Sequence, residues 1–178
     1  TQQENTRCGD IARRHGLKVK ALMSLGHPGE SDATAAETRR WLLDARPADF
    51  DVTVITPYPG SPYYDDAVAT SDPNVWAYTV ANGDVLYQSE IDYTCVADYY
   101  KGVPGDGYVS HVFTEHLSAA EIVRTRDDLE RDVRRLLDIP FNPSAASVAF
   151  EHSMGQSRLP PRMLRTSEPR DAAEPRVA

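Results

Sequence analysis

The strongest constraint on this chain is an alternation between Val19 and Pro62, in which short apolar runs are each followed by a glycine- and proline-rich loop. Val19, Ala21, Met23 and Leu25 alternate with Lys20, Leu22 and Ser24. That pattern predicts a short, mostly apolar strand of the kind buried in a parallel sheet. Gly26-His27-Pro28-Gly29 breaks it. Glu30 and Ser31 then lead into a helix, for which Thr34 to Glu37 reads as a capping box. Thr38, Trp41, Leu42 and Ala45 give that helix an apolar face, and Pro47 ends it. A second β-rich run, Phe50 to Ile55, enters the loop Thr56-Pro57-Tyr58-Pro59-Gly60-Ser61-Pro62. Upstream, Gln3 to His15 is helical in pattern, and Gly16 supplies its stop. Helix, strand, helix, strand with short links predicts an α/β fold with a parallel sheet or barrel.

The pattern changes at Asp72-Pro73. Val75 to Val80 and Val85 to Ser89 flank Asn82-Gly83-Asp84 and predict a β-hairpin. Tyr93 to Tyr100 reads as a short helix. Ser118 to Glu121 is a capping box ahead of the longest helix, ending near Leu137. Ile122, Leu129, Val133, Leu136 and Leu137 form its expected buried stripe, with the charges elsewhere. Pro140 and Pro143 stop it. Ser147 to Phe150 is β-like. No internal repeat is present. The chain divides into residues 1–69, an α+β extension over 70–152, and a polar, Arg- and Pro-rich tail over 153–178 that is expected to be largely disordered.

Composition narrows the function classes. The chain has 178 residues, 40 % of them hydrophobic, and a formal net charge of −8. That length suffices for a core. The acidic balance argues against a general nucleic-acid binder, which needs cations to displace counterions from phosphate. No apolar run reaches membrane-spanning length, and no signal-peptide core opens the chain. A soluble, cytoplasmic protein with no membrane partner is expected. The first residue is Thr, and it opens directly into a helical pattern, which reads as truncation of a longer chain. Lys18, Lys20 and Lys101 are the only lysines among 19 basic residues. Such a bias to arginine suggests a GC-rich genome. Cys8 and Cys95 are far apart and form no disulfide framework.

In parallel α/β folds, ligands sit at the carboxyl ends of the strands. Glycine there lets a main chain approach a ligand closely, and proline lowers the ordering cost of the loop. The loops at 26–30 and 56–62 are therefore adjacent candidate ligand loops. They serve equally well as ordinary tight βα turns.

The two segments also carry a resemblance. Met23-Ser-Leu-Gly-His-Pro-Gly-Glu-Ser31, with Thr34, Thr38 and Trp41, followed by Thr56-Pro-Tyr-Pro-Gly-Ser-Pro-Tyr63, resembles the second half of the partial (βα) barrel of radical S-adenosylmethionine (SAM) enzymes. The first segment looks like that family's glycine-rich motif at the fifth strand, and the second like the loop after the sixth. Together they resemble most the cobalamin-dependent methyltransferase subgroup. The resemblance covers Thr1 to about Ala69. It implies that a four-iron (4Fe-4S) cluster reduces SAM, and that the adenosyl radical takes a hydrogen from a small-molecule substrate. In the cobalamin branch a methyl group is then delivered. A flavodoxin or ferredoxin would supply electrons, and bacterial antibiotic or secondary-metabolite biosynthesis would be the setting.

On the matching positions, the resemblance implies that Met23 and Leu25 lie against the adenine. Gly26, Pro28 and Gly29 would shape that wall. Tyr58, Pro59 and Gly60 would offer main-chain contacts from the other strand. The family's three-cysteine CxxxCxxC loop is missing from this sequence, so the chain by itself is expected to be inactive, a fragment whose cluster ligands and any cobalamin domain lie upstream. A radical SAM oxidoreductase, cyclase or methylthiotransferase without cobalamin remains an alternative, as does a non-enzymatic α/β binding module.

Several other residues have two readings. His27 either approaches a ligand or faces solvent from its loop. Glu30 either braces the loop and helix start or acts as an acid. His111, His116 and His152 with Glu115 and Glu151 match no zinc spacing, so no metal is assigned. Tyr93, Tyr99, Tyr100 and Tyr108 either cover a substrate opening or pack on the core. Cys95 reads as a small buried hydrophobe or a reactive thiol. Glu151 to Gln156 forms a compact polar cluster with no assigned role.

Overall fold

The computed structural model describes residues 1–91, 104–105 and 108–141. The helix expected at Tyr93 to Tyr100, the run Ser147 to Phe150, Cys95, His152 and the tail lie outside the described residues. The fold is mixed α/β. Helix α1 (Gln2–Arg14) precedes strand β1 (Lys20–Leu25), helix α2 (Asp32–Ala45) and strand β2 (Asp49–Val54). A single-turn helix α3 (Pro62–Asp65) follows, then β3 (Val68–Ala69), β4 (Val75–Thr79), β5 (Val85–Ser89), β6 (Val112–Phe113) and the long helix α4 (Ala119–Leu137). Among the described residues, no helix is long and apolar enough to cross a membrane.

Strands β1 and β2 pair in parallel, Ala21 beside Phe50, Met23 beside Val52 and Leu25 beside Val54. Those residues share one face, and α2 and α4 cover it. The other face carries Lys20, Leu22 and Ser24 beside Asp49, Asp51 and Thr53. There Lys20 Nζ reaches Asp49 at 2.9 Å and Asp51 at 3.0 Å. Strands β3 to β6 form a separate antiparallel sheet in sequential order, with β4 and β5 making the expected hairpin over Asn82-Gly83-Asp84. Both sheets feed one core, in which Leu25, Phe50 and Val52 join Leu86, Val112, Ile122 and Val133.

Local chemistry sets the element ends. Thr1 caps α1 reciprocally with Glu4, and Ser118 caps α4 with Glu121. Helix α2 starts earlier than the Thr34–Glu37 pattern suggests. Ser31 is its cap, and the Thr34 hydroxyl, in the place of a capping-box Glu, returns the bond to the Ser31 N–H at 2.9 Å. Its last residue precedes Arg46, which turns left-handed at φ 47° before Pro47.

Two expectations need correction. Leu22 lies in β1 yet is 73 % exposed, so this parallel pair is not buried on both faces. In α4, Leu136 is 47 % exposed, while Arg126, Glu130 and Arg134 are buried. The reason is the outer edge of β2. The even residues of β2 turn their main-chain groups away from β1, because Ile55 N–H donates to Leu25 O. The α4 side chains meet them. Val52 N–H donates to Glu130 Oε2 at 3.1 Å, Arg126 Nε donates to Val52 O at 2.7 Å, and Arg134 Nη2 donates to Phe50 O. Three polar residues at i, i+4 and i+8 thus take the place of a neighbouring strand.

Candidate functional site at the carboxyl ends of β1 and β2

Parallel pairing brings both candidate loops to one pole of the sheet. The first loop, 26–30, is held by Glu30, which is only 6 % exposed. Its Oε2 accepts from Gly26 N–H at 3.0 Å, and its Oε1 accepts from the Thr34 hydroxyl. Thr114 Oγ1 donates to Glu30 O at 2.7 Å. Glu30 therefore braces the loop to the start of α2 and to the residue after β6. The second loop closes when Ser61 N–H and Oγ both donate to Tyr58 O, at 3.0 and 2.7 Å. Gly60 N–H donates to Asp65 Oδ1 at 3.1 Å, and Pro62 starts α3 at a position where its missing N–H costs nothing.

The loops meet through His27. Its Nε2 lies 2.7 Å from Ser24 Oγ and its Nδ1 lies 3.1 Å from the Tyr63 hydroxyl. The His27 and Tyr63 rings meet edge-on, with centroids 6.0 Å apart. Tyr63 also packs on Tyr78 of the hairpin at 5.0 Å, and buried Gln88 donates to Tyr63 O. Burial lowers the His27 pKa from the usual histidine value, against a weaker upward pull from the Glu30 charge. Burial raises the Tyr63 phenol, and Tyr78 adds to the effect. An imidazole held between two hydroxyls can accept a proton at one nitrogen while the other is already bonded.

The expected site residues divide into three groups. Met23 and Leu25 point to the helix-covered face, Met23 packing against the core and Leu25 only 1 % exposed within it. The main chain of Leu25 is paired with β2 as well, its O accepting from Ile55 N–H at 3.0 Å. Gly26 and Gly29 are set by packing as well as by turn geometry. A Cβ on Gly26 would lie 2.9 Å from Val112 Cγ2, and one on Gly29 would overlap the Asp84 carboxylate. Gly60, at φ 92°, would meet nothing within 4 Å and is exposed, with Tyr58, Pro59 and Pro28 half-buried at the same pole. That leaves Pro28 and the Tyr58–Gly60 turn as the reachable part of the set.

Ser24, Tyr63 and Thr53 were missed. Strand parity is the signal that finds Ser24 and Thr53: if Ala21, Met23 and Leu25 face the core, Leu22 and Ser24 must face the other way. Tyr63 could not be found locally, because its partner is 36 residues distant. Among the described residues, no group of three or more His, Cys, Asp or Glu side chains is placed to hold a metal ion. The chain matches no family model, no curated protein and no solved structure.

Proposed function

We propose that this chain is part of a radical SAM enzyme, a cobalamin-dependent methyltransferase acting on a small metabolite in bacterial secondary metabolism, and that its two polar loops form one wall of the SAM pocket. The observation that carries this reading is the bridge from His27 to Tyr63, which joins the glycine loop after β1 to the proline loop after β2 at one pole. In this reading β1 and β2 are neighbouring strands of a partial barrel, α2 and α4 lie outside it, and Leu22, Ser24 and Thr53 face inward. Pro28 and the Tyr58–Gly60 turn would contact the adenine, with the Leu25 and Gly26 main chain behind them. Bound SAM would supply the adenosyl radical by one-electron cleavage of its sulfonium C–S bond, with methionine leaving and the electron coming from a flavodoxin or ferredoxin through the cluster.

The cluster does not fit the residues of this chain. A site-differentiated four-iron cluster needs three closely placed thiolates, whereas this sequence has two cysteines, and Cys8 is free and exposed on α1. Its ligands therefore belong to other residues of the enzyme. The test is a titration of SAM into the isotope-labelled chain, read at backbone amides. Shifts clustered at Gly26–Glu30 and Tyr58–Gly60 are expected. Shifts confined to other elements, or none at millimolar ligand, would reject the pocket. The gene upstream of Thr1 is expected to encode CxxxCxxC, and its absence there would reject the radical chemistry.

A further inference from the structure

Ser24 stands on the face of β1 opposite Ala21, Met23 and Leu25, in the row that also holds Leu22 and, across the pair, Thr53. Most buried or half-buried serines spend their hydroxyl on a main-chain group or on water. Among the described residues, the partner of the Ser24 hydroxyl is instead a side chain, His27 Nε2 at 2.7 Å. A latch between the two loops needs only the contact of His27 with Tyr63. The second ring nitrogen is spent on Ser24.

Three features set this pair apart from an incidental contact. The imidazole is held at its other end by the Tyr63 hydroxyl, 3.1 Å from Nδ1. Tyr63 is itself fixed by its ring packing on Tyr78 and by the bond that its O accepts from Gln88. With the phenol oxygen accepting, Nδ1 keeps the proton and Nε2 is left to accept one. Next, Glu30 is braced on Gly26 and Thr34, and its charge favours the imidazolium. Finally, Ser24, His27 and Tyr63 are half-buried, and Leu22, on the same face as Ser24, is 73 % exposed. A hydroxyl, a base in contact with it and a third group orienting the base form the arrangement that activates a nucleophile.

We infer that Ser24 is a nucleophile for acyl transfer from small neutral esters, with His27 as its general base and Tyr63 positioning the imidazole. Ser24 Oγ attacks the acyl carbon, and its proton passes to His27 Nε2. The bond from that carbon to the leaving oxygen breaks, and His27 returns the proton to the departing alcohol. Water then attacks the acyl-serine, His27 again takes a proton, and the carboxylic acid leaves with Ser24 restored. The Ser24 N–H points away from β2, because the odd residues of β1 bond that strand, and no described residue accepts from it. It is a donor for the oxyanion. Leu22 offers apolar surface to a short acyl chain. The charges on this face are already matched, Lys20 lying between Asp49 and Asp51, so a neutral ester suits it better than a charged one. The activity goes beyond the SAM reading and does not depend on it.

The test is reaction of the 178-residue chain with p-nitrophenyl acetate, read by nitrophenolate release and by mapping the acetylated peptide. One acetyl group on Ser24 is expected. Ser24→Ala should abolish it, Ser24→Cys should restore an acyl acceptor of nearly the same size, and His27→Gln should slow acylation by about a hundredfold or more. Acetyl groups found only at lysines or at the Thr1 amine overturn the inference, as do equal rates in the native chain and Ser24→Ala. A second measurement needs no variant: the nitrogen chemical shifts of the His27 ring. A protonated Nδ1 and a bare Nε2 are expected, and Tyr63→Phe should weaken that preference. A proton on Nε2 in the native ring overturns the inference, because His27 would then donate to Ser24. Neither measurement contains SAM, so failure of acyl transfer and failure of nucleoside binding are read separately.

Discussion

Gly29 lies where backbone and packing demands coincide. Its φ is 76°, and the space a Cβ needs is filled by Asp84 from the hairpin turn. Gly29→Ala should cost about 1–3 kcal/mol in urea unfolding, and Asp84→Ala in the same chain should recover the packing part but not the backbone part. Gly60→Ala, with the same backbone demand and open space around it, should cost only about 1 kcal/mol. His27 gives a pH prediction. Burial lowers the pKa of both His27 and His111 in the folded chain. A depressed folded value means that the unfolded chain binds the proton more readily. Stability is therefore full above the ordinary value of 6.5 and falls as pH drops through the folded values. Melting temperature followed from neutral to acid pH should show that fall, and His27→Gln should shallow it.

At the scale of elements, α4 is the part the sequence disguised. Its Ile122, Leu129 and Val133 stripe was legible from helical spacing, as was its Ser118–Glu121 cap. The burial of Arg126, Glu130 and Arg134 was not. A helix with charges at i, i+4 and i+8 normally presents them to water. Only the geometry of an open strand edge shows that they are needed inside. Strands β1 and β2 and the hairpin were legible because alternation, Gly26 and Asn82-Gly83 are local signals. The two-residue strands β3 and β6 were not, because nothing local distinguishes so short a run; their partners in β4 and β5 define them. Glu130 carries the sharpest prediction here. Burial raises its pKa against the pull of Arg126 and Arg134. Glu130→Ala would leave the Val52 N–H without its acceptor and remove the buried carboxylate between Arg126 and Arg134, which keep Asp127 at 3.0 Å and Asp49 at 3.1 Å. A loss of about 2–4 kcal/mol in urea unfolding is expected. A loss below about 1 kcal/mol would mean that water replaces Glu130 at the edge.

For the whole molecule, the shared core decides how the chain unfolds. Leu86 and Val112 come from the antiparallel sheet, yet they pack with Leu25 and Ile122 rather than in a cluster of their own. The sequence suggested a change of pattern at Asp72-Pro73; antiparallel pairing begins earlier, at β3 (Val68–Ala69), and the core crosses both points. One transition is therefore expected, with Trp41 in α2 and Trp76 in β4 reporting the same midpoint. Leu86→Ala should lower both together, by about 2–5 kcal/mol. Midpoints that separate would show that the two sheets melt independently. The pole of the parallel pair was legible in its loops and strand ends. Its closure was not, since Tyr63, Tyr78, Asp84 and Thr114 reach it from distant sequence.

The seat of Asp84 against Gly29 has a mechanical side. The turn of the hairpin acts as a stop behind the glycine loop, and Thr114 fastens the same loop from β6. Whatever presses on the loop from the pole pushes against the antiparallel sheet as well, so a small displacement of one glycine would be felt at a strand more than fifty residues along the chain.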